Sequence, residues 1–224
     1  MEKLPPPTGF TILQPAQITR QARTHPLILI LHSRQQTAQL LELAAYLGQR
    51  GALLVLDGGN CFNGYSVAAA LYRMQGSGSI RPVLERIRVA RAFTCYQMGE
   101  LIRAALPYST RPPHPQLPEE EGTPGGQEGQ GQAEGSVRAA VVLDLLATFL
   151  DENVPLGERK RLLRSCLDDL KKLAHSAPVL MTVRQSSSHP IPPEMLTSLL
   201  EAAGEVWSAP QPEPPPANLR LFAE

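Results

Sequence analysis

The chain has 224 residues, 42% hydrophobic and 19% charged, which predicts one domain with a core of ordinary density. No apolar run approaches the ~18 residues of a membrane span, and Met1 to Thr8 is polar and Pro-rich, so neither a span nor a signal peptide is expected. Net charge is zero, yet residues 1–106 carry 11 Lys/Arg against 5 Asp/Glu and residues 107–224 carry 10 against 16. A basic half marks either an anionic partner or a solvated surface balanced by the other half. The three cysteines are far apart and form no CxxC, which argues against a disulfide framework and a zinc site and suits a reducing, cytoplasmic setting.

Strands and helices are expected to alternate. Pro26 to Leu31 is a short, wholly apolar strand, and Thr37 to Gln49 a helix that Gly51 ends. Leu53 to Leu56 is a second strand and Tyr65 to Gln75 a second helix. Ile87 to Arg91 reads as a third strand and Tyr96 to Leu106 as a third helix. Pro107 to Ser136 holds six prolines, six glycines and five acidic residues, too little apolar surface to offset chain entropy, and is expected to be a disordered insertion. Ala139 to Leu143 is a fourth strand. Glu158 to His175 is a helix with Leu163, Cys166, Leu167, Leu170 and Leu173 on one face. Val179 to Val183 is a fifth strand, Pro193 to Ala203 a last helix, and Glu205 to Ser208 an edge strand. Ala209 to Ala217 has five prolines in nine positions and reads as a stiff tail. The expected division is an N-terminal segment 1–19, an α/β domain 20–208 and a Pro-rich tail 209–224.

Non-alternating apolar strands separated by helices predict a mostly parallel sheet flanked by helices. Ligands in such sheets bind beyond the carboxyl ends of the strands, so those residues are the candidates. After the first strand, Leu31 to Ala38 lacks both glycines and the lysine of a phosphate-binding loop; only Thr37 stands where a magnesium-binding hydroxyl would be, with Arg34 as a nearby cation. After the second, Asp57-Gly58-Gly59-Asn60 either holds a ligand or metal-bound water, or is a tight turn whose Asp and Asn bond their own backbone. After the fourth, Asp144 matches the apolar-run-then-Asp pattern of phosphate-handling sheets. After the fifth, Arg184 to His189 is polar and suits an anion or a partner. The histidines show no metal-ligand spacing, and no GxSxG occurs.

Four stretches, in order, resemble the core ATPase domain of the RecA/RadA recombinase superfamily. Val55 to Phe62 is similar to the family's I-D-T-E-G-T-F segment. Arg86 to Thr94, followed by Gln97 to Leu101, is similar to its V-A-R-A-Y-T strand and the next helix. Val141 to Asp144 is similar to the Walker B strand, and Val179 to Gln185 to the strand before the second DNA-binding loop. The resemblance covers about residues 20–208 and implies a RecA-like P-loop NTPase architecture. It also implies departures: the P-loop is absent except for Thr37, and the catalytic glutamate's position is Gly59.

The resemblance therefore implies a protein without meaningful ATP hydrolysis, acting in DNA recombination or repair by binding single-stranded DNA or a recombinase. Residual nucleotide contacts fall on Arg34, Thr37, Asp57, Asn60, Asp144 and Gln185. DNA contacts fall on Arg184, Ser186, Ser187 and Ser188. No residue is assigned a catalytic role and no cofactor is expected. The alternatives are an interaction scaffold without nucleic acid, able to oligomerise side by side, and an atypical Mg-ATP-binding ATPase. Arg73, Arg81, Arg86, Arg88, Arg91 and Arg103 add basic character, and along the sequence no aromatic is interleaved with them as in a stacking platform.

Overall fold

The structure, a computed structural model, describes residues 8–9, 27–76, 78–110, 137–185 and 190–208. Most of the expected insertion, the Pro-rich tail, and Ser186, Ser187 and Ser188 lie outside the described residues.

Seven strands form one sheet: β1 (Thr8–Gly9), β2 (Leu27–His32), β3 (Leu53–Asp57), β4 (Ile87–Arg91), β5 (Ala139–Leu143), β6 (Val179–Arg184) and β7 (Glu205–Ser208). Their order is β1-β7-β2-β6-β5-β3-β4, with every pair parallel. The helices are α1 (Thr37–Gln49), α2 (Gly64–Gln75), the one-turn α3 (Arg81–Leu84), α4 (Cys95–Thr110), α5 (Leu156–Ala174) and α6 (Pro193–Ala202). The protein is thus an α/β domain built on a parallel sheet flanked by helices, consistent with a RecA-like architecture.

The strand order dictates where each helix lies. From β2 to β3 to β4 the chain moves one way across the sheet, so right-handed crossovers put α1 and α2 on one face. From β4 to β5, β6 and β7 it moves back, which puts α4, α5 and α6 on the other. Two separate cores result. Ile28, Ile30, Val55 and Val141 pack under α1 and α2, while Leu29, Leu31, Val142 and Met181 pack under α4, α5 and α6. The central strands read as unbroken apolar runs because both faces are covered, each buried Leu or Ile contributing about 1.5–3 kcal/mol.

The elements match expectation closely, apart from the unexpected one-turn helix α3 and four further departures. Thr8–Gly9, expected to precede the domain, pairs with Trp207 and Ser208 of β7, so β7 is flanked on both sides. The strand Ile87–Arg91 is an edge strand opposite β1, half exposed and paired among the described residues with β3 alone. Helix α4 runs through Pro107 to Thr110 rather than ending at Leu106. Cys95, Met98, Ile102 and Ala105 anchor it in the core, and losing one backbone donor in its last turns does not end it. Asp144 starts a short 3-10 segment, Leu145–Phe149, that carries Leu145, Leu146 and Phe149 into the core.

The amphipathic helix α5 shows the local logic. Leu163, Cys166, Leu167, Leu170 and Leu173 are buried at three- and four-residue spacing, and Glu158 and Lys171/Lys172 sit at the ends that the helix dipole favours. Among the described residues no helix is long and apolar enough to cross a membrane.

Candidate functional site

The carboxyl ends of β2, β6, β5, β3 and β4 lie side by side, and they bring His32, Arg184, Asp144, Asp57 and Arg91 to one edge. Asp57 closes β3 and is fully buried. Its Oδ1 accepts from the Cys61 amide at 3.0 Å and its Oδ2 from the Phe62 amide at 2.9 Å. Arg91, the cross-strand partner of Asp57, donates from Nε to Oδ2 at 3.3 Å and from Nη2 to the Phe62 carbonyl at 2.8 Å. The carboxylate is therefore spent on its own turn and on one guanidinium. The asparagine that caps the following helix is Asn63, which accepts from the Tyr65 and Ser66 amides; Asn60 is exposed at φ 49°.

Asp144 is held as firmly. It sits in the left-handed region at φ 50°, and its amide donates to Thr182 Oγ1 at 2.9 Å. Its Oδ1 accepts from the Arg184 amide at 3.1 Å, and its Oδ2 lies 3.0 Å from Arg184 Nη2 as an ion pair outside hydrogen-bond alignment. The Asp144 side chain is 5% exposed and that of Arg184 35%.

The two glycines join these acids. The Gly58 amide donates to the Leu143 carbonyl at 2.9 Å, laying the turn across the end of β5. A Cβ at Gly59 would fall 2.5 Å from Asp144 Cβ and 2.7 Å from Oδ2; one at Gly58 would fall 2.7 Å from Met98 Cε. Glycine is required here because the turn rests on Asp144.

His32, which spacing in the sequence does not single out, is the last residue of β2 and pairs in register with Arg184. Its Nδ1 lies 2.9 Å from the Ser33 carbonyl, and its buried Nε2 has no hydrogen-bond partner among the described residues. Burial holds its pKa below 6.5, with Arg184 also pushing it down and the Ser33 carbonyl and Asp144 opposing. The unfolded chain thus binds the proton more tightly than the folded one. The stabilising contribution of neutral His32 is present above about pH 6.5 and is lost as pH falls from there toward the folded value. Acid titration of thermal stability is expected to show a decline below about pH 6.5 that His32→Gln flattens; an unchanged slope in the variant would assign the decline to other groups.

Arg34 and Thr37 stand apart from this network. Arg34 is exposed on the 3-10 turn Arg34–Gln36, and Thr37 Oγ1 donates to its carbonyl at 2.9 Å. Gln185 is exposed, and its amide donates to the His32 carbonyl at 2.8 Å. Burial, and then the nearby Asp57, push the Cys61 thiol up to about 12, the direction opposite to an activated thiol. Burial likewise raises Cys166 to about 12 and raises Cys95. Among the described residues no group of three or more His, Cys, Asp or Glu is placed to hold a metal ion.

The Asp144–Arg184 pair makes a direct prediction. Arg184→Met leaves a buried charge with the residue 184 amide as its one hydrogen-bond donor among the described residues, and is expected to cost about 1–3 kcal/mol, reduced from the fully buried case by the partial exposure of Arg184. Adding Asp144→Asn should recover more than half of that loss in urea unfolding. Additive losses in the double variant would mean the two groups are not coupled. Comparison with family models and with curated proteins finds no match for this chain.

Proposed function

We propose that the chain is a non-catalytic, cytoplasmic RecA-like protein that assists DNA recombination or repair by binding DNA or a recombinase. The observation that carries this reading is the commitment of both strand-end carboxylates to arginines of the same chain, Asp57 to Arg91 and Asp144 to Arg184. A magnesium–nucleotide site needs such carboxylates open to the ion and its water, with a cradle of backbone amides for the phosphates. Here guanidinium groups already supply the positive charge, and Gly59 leaves no carboxylate to orient an attacking water. Both features support a role without ATP turnover. The DNA reading itself is supported by the likeness of Val179 to Gln185 to the strand before the family's second DNA-binding loop, with Arg184 there paired to Asp144.

The test is anisotropy of labelled single-stranded DNA at low and high salt, with and without Mg-ATP, alongside phosphate release. Binding that weakens with salt, ignores Mg-ATP and releases no phosphate is the expected result. ATP-dependent binding or robust hydrolysis would overturn the non-catalytic reading. Absence of DNA binding at low salt would leave only the recombinase arm, to be tested with a recombinase filament.

A further inference from the structure

The amino ends of β5, β3 and β4 collect positive charge. Arg138 precedes β5, Arg50 ends α1 just before β3, and Arg86 precedes β4. The three strands are neighbours, in the order β5-β3-β4. Backbone bonds join their approaches: the Arg138 amide donates to the Ala52 carbonyl at 2.8 Å, and the Leu53 amide to the Arg86 carbonyl at 3.0 Å. The Arg138 side chain lies on Gly51, where an added Cβ would fall 2.5 Å from its Cγ. Arg50 sits over the Tyr46 ring, 4.7 Å from its centroid, and donates to the Tyr46 hydroxyl.

Arg50 and Arg138 are exposed and Arg86 is half-buried. Among the described residues none of the three pairs with a carboxylate. Glu42 and Glu85, the acids closest along the chain, are engaged by Arg73 and Arg81. Arginine stays charged in proteins, so three cations stand at neighbouring strand starts without a counter-charge.

The chain carries that counter-charge next to them. Helix α4 returns to this edge and ends at Thr110, and β5 starts from it at Ala139. The 26 residues 111–136 hold Glu119, Glu120, Glu121, Glu128 and Glu134 against Arg111. Glu134 is four residues from Arg138. The ten residues from Glu128 to Arg138 span up to about 33 Å, against about 10 Å for the two strand spacings from β5 to β4. Tethered carboxylates meet these arginines at an effective concentration of about millimolar.

We propose that the acidic segment Glu119 to Glu134 docks on the Arg50, Arg86 and Arg138 cluster of its own chain. The acidic second half of the sequence then neutralises part of the basic first half and holds that surface against external polyanions. The proposal concerns the edge opposite Arg184 and stands apart from the DNA reading.

The test places a nitroxide through Gln127→Cys in a full-length Cys61→Ala chain and reads paramagnetic broadening of backbone amides. Gly51, Ala52, Arg86 and Ile87 should broaden at low salt and recover in 1 M salt, where the screening length falls to about 3 Å. Replacing Glu119, Glu120, Glu121 and Glu128 by Gln should relieve the broadening, and so should Arg50→Gln, Arg86→Gln and Arg138→Gln together. Three exposed pairs shift the docked-to-free ratio by about 3- to 150-fold. Circular dichroism melts check that each variant folds. Unchanged broadening in high salt or in the glutamine-substituted chain would overturn the proposal, because the tether alone would then account for proximity. Equal affinity of the parent and glutamine-substituted chains for inorganic tripolyphosphate, read at the same amides, would also overturn it and assign the arginines to an external anion.

Discussion

Gly59→Glu, which places a carboxylate where the resembling family carries its catalytic glutamate, is expected to unfold the turn rather than create an ATPase. The added Cβ alone would sit 2.5 Å from Asp144 Cβ, and overpacking of this kind costs about 1–3 kcal/mol. The new carboxylate would also lie beside Asp144, which is paired with Arg184, and because Gly59 is only half-buried this like-charge repulsion adds less than a buried charge would. The steric part alone corresponds to a melting temperature lower by about 2–12 °C in a chain of this size. Gly59→Ala carries only the steric part and should fall between the variant and the parent. A thermal melt by circular dichroism, paired with phosphate release, decides it. A Gly59→Glu protein that melts like the parent and hydrolyses ATP would remove the argument that this glycine is dictated by contact with Asp144.

Asp57→Asn has the second large effect. The native carboxylate uses both oxygens on backbone amides and shares Oδ2 with Arg91. Asparagine keeps the size but has one acceptor. Its amide must face either the Cys61 or the Phe62 N–H, and Arg91 loses its counter-charge. Losing a hydrogen bond to a charged group and leaving a buried donor unsatisfied together cost about 3 kcal/mol. The expected drop in melting temperature is about 6–12 °C, with faster hydrogen exchange at the Cys61 and Phe62 amides. Arg91→Met should cost less, because nearly half of that side chain is already in water. Slow exchange at both amides in Asp57→Asn would show that something else holds the turn.

These two positions also mark how far sequence reading reached. Asp57-Gly58-Gly59-Asn60 stands out in the sequence as a turn needing unusual backbone, and both a ligand site and a self-bonded turn are consistent with those residues. The bonds from Cys61 and Phe62 realise the self-bonded geometry for Asp57, but the helix cap belongs to Asn63 rather than Asn60. The reason for Gly59 lies 85 residues away in sequence, in Asp144, and that for Gly58 begins at Met98; no local rule reaches that far. Arg91 reads as one of several scattered basic residues, and its role as the partner of Asp57 follows only from the β3–β4 register. His32 is read as the residue after a strand; the pairing of β2 with β6 makes it a buried strand residue beside Arg184.

What the sequence by itself determined is the alternation of strands and helices, the parallel sheet and the position of its carboxyl edge. These follow from apolar runs too short for helices, from helical spacing such as that of Leu163 to Leu173, and from glycine and proline at the breaks, all of which act over a few residues. What only the tertiary structure decided is the strand order, and with it everything that depends on which strand end meets which. That order makes Ile87–Arg91 an edge strand and joins Asp144 to Arg184 and Asp57 to Arg91. The physical reason is that ion pairing, close packing and exposure depend on distance in space, whereas propensity and periodicity are properties of neighbours along the chain.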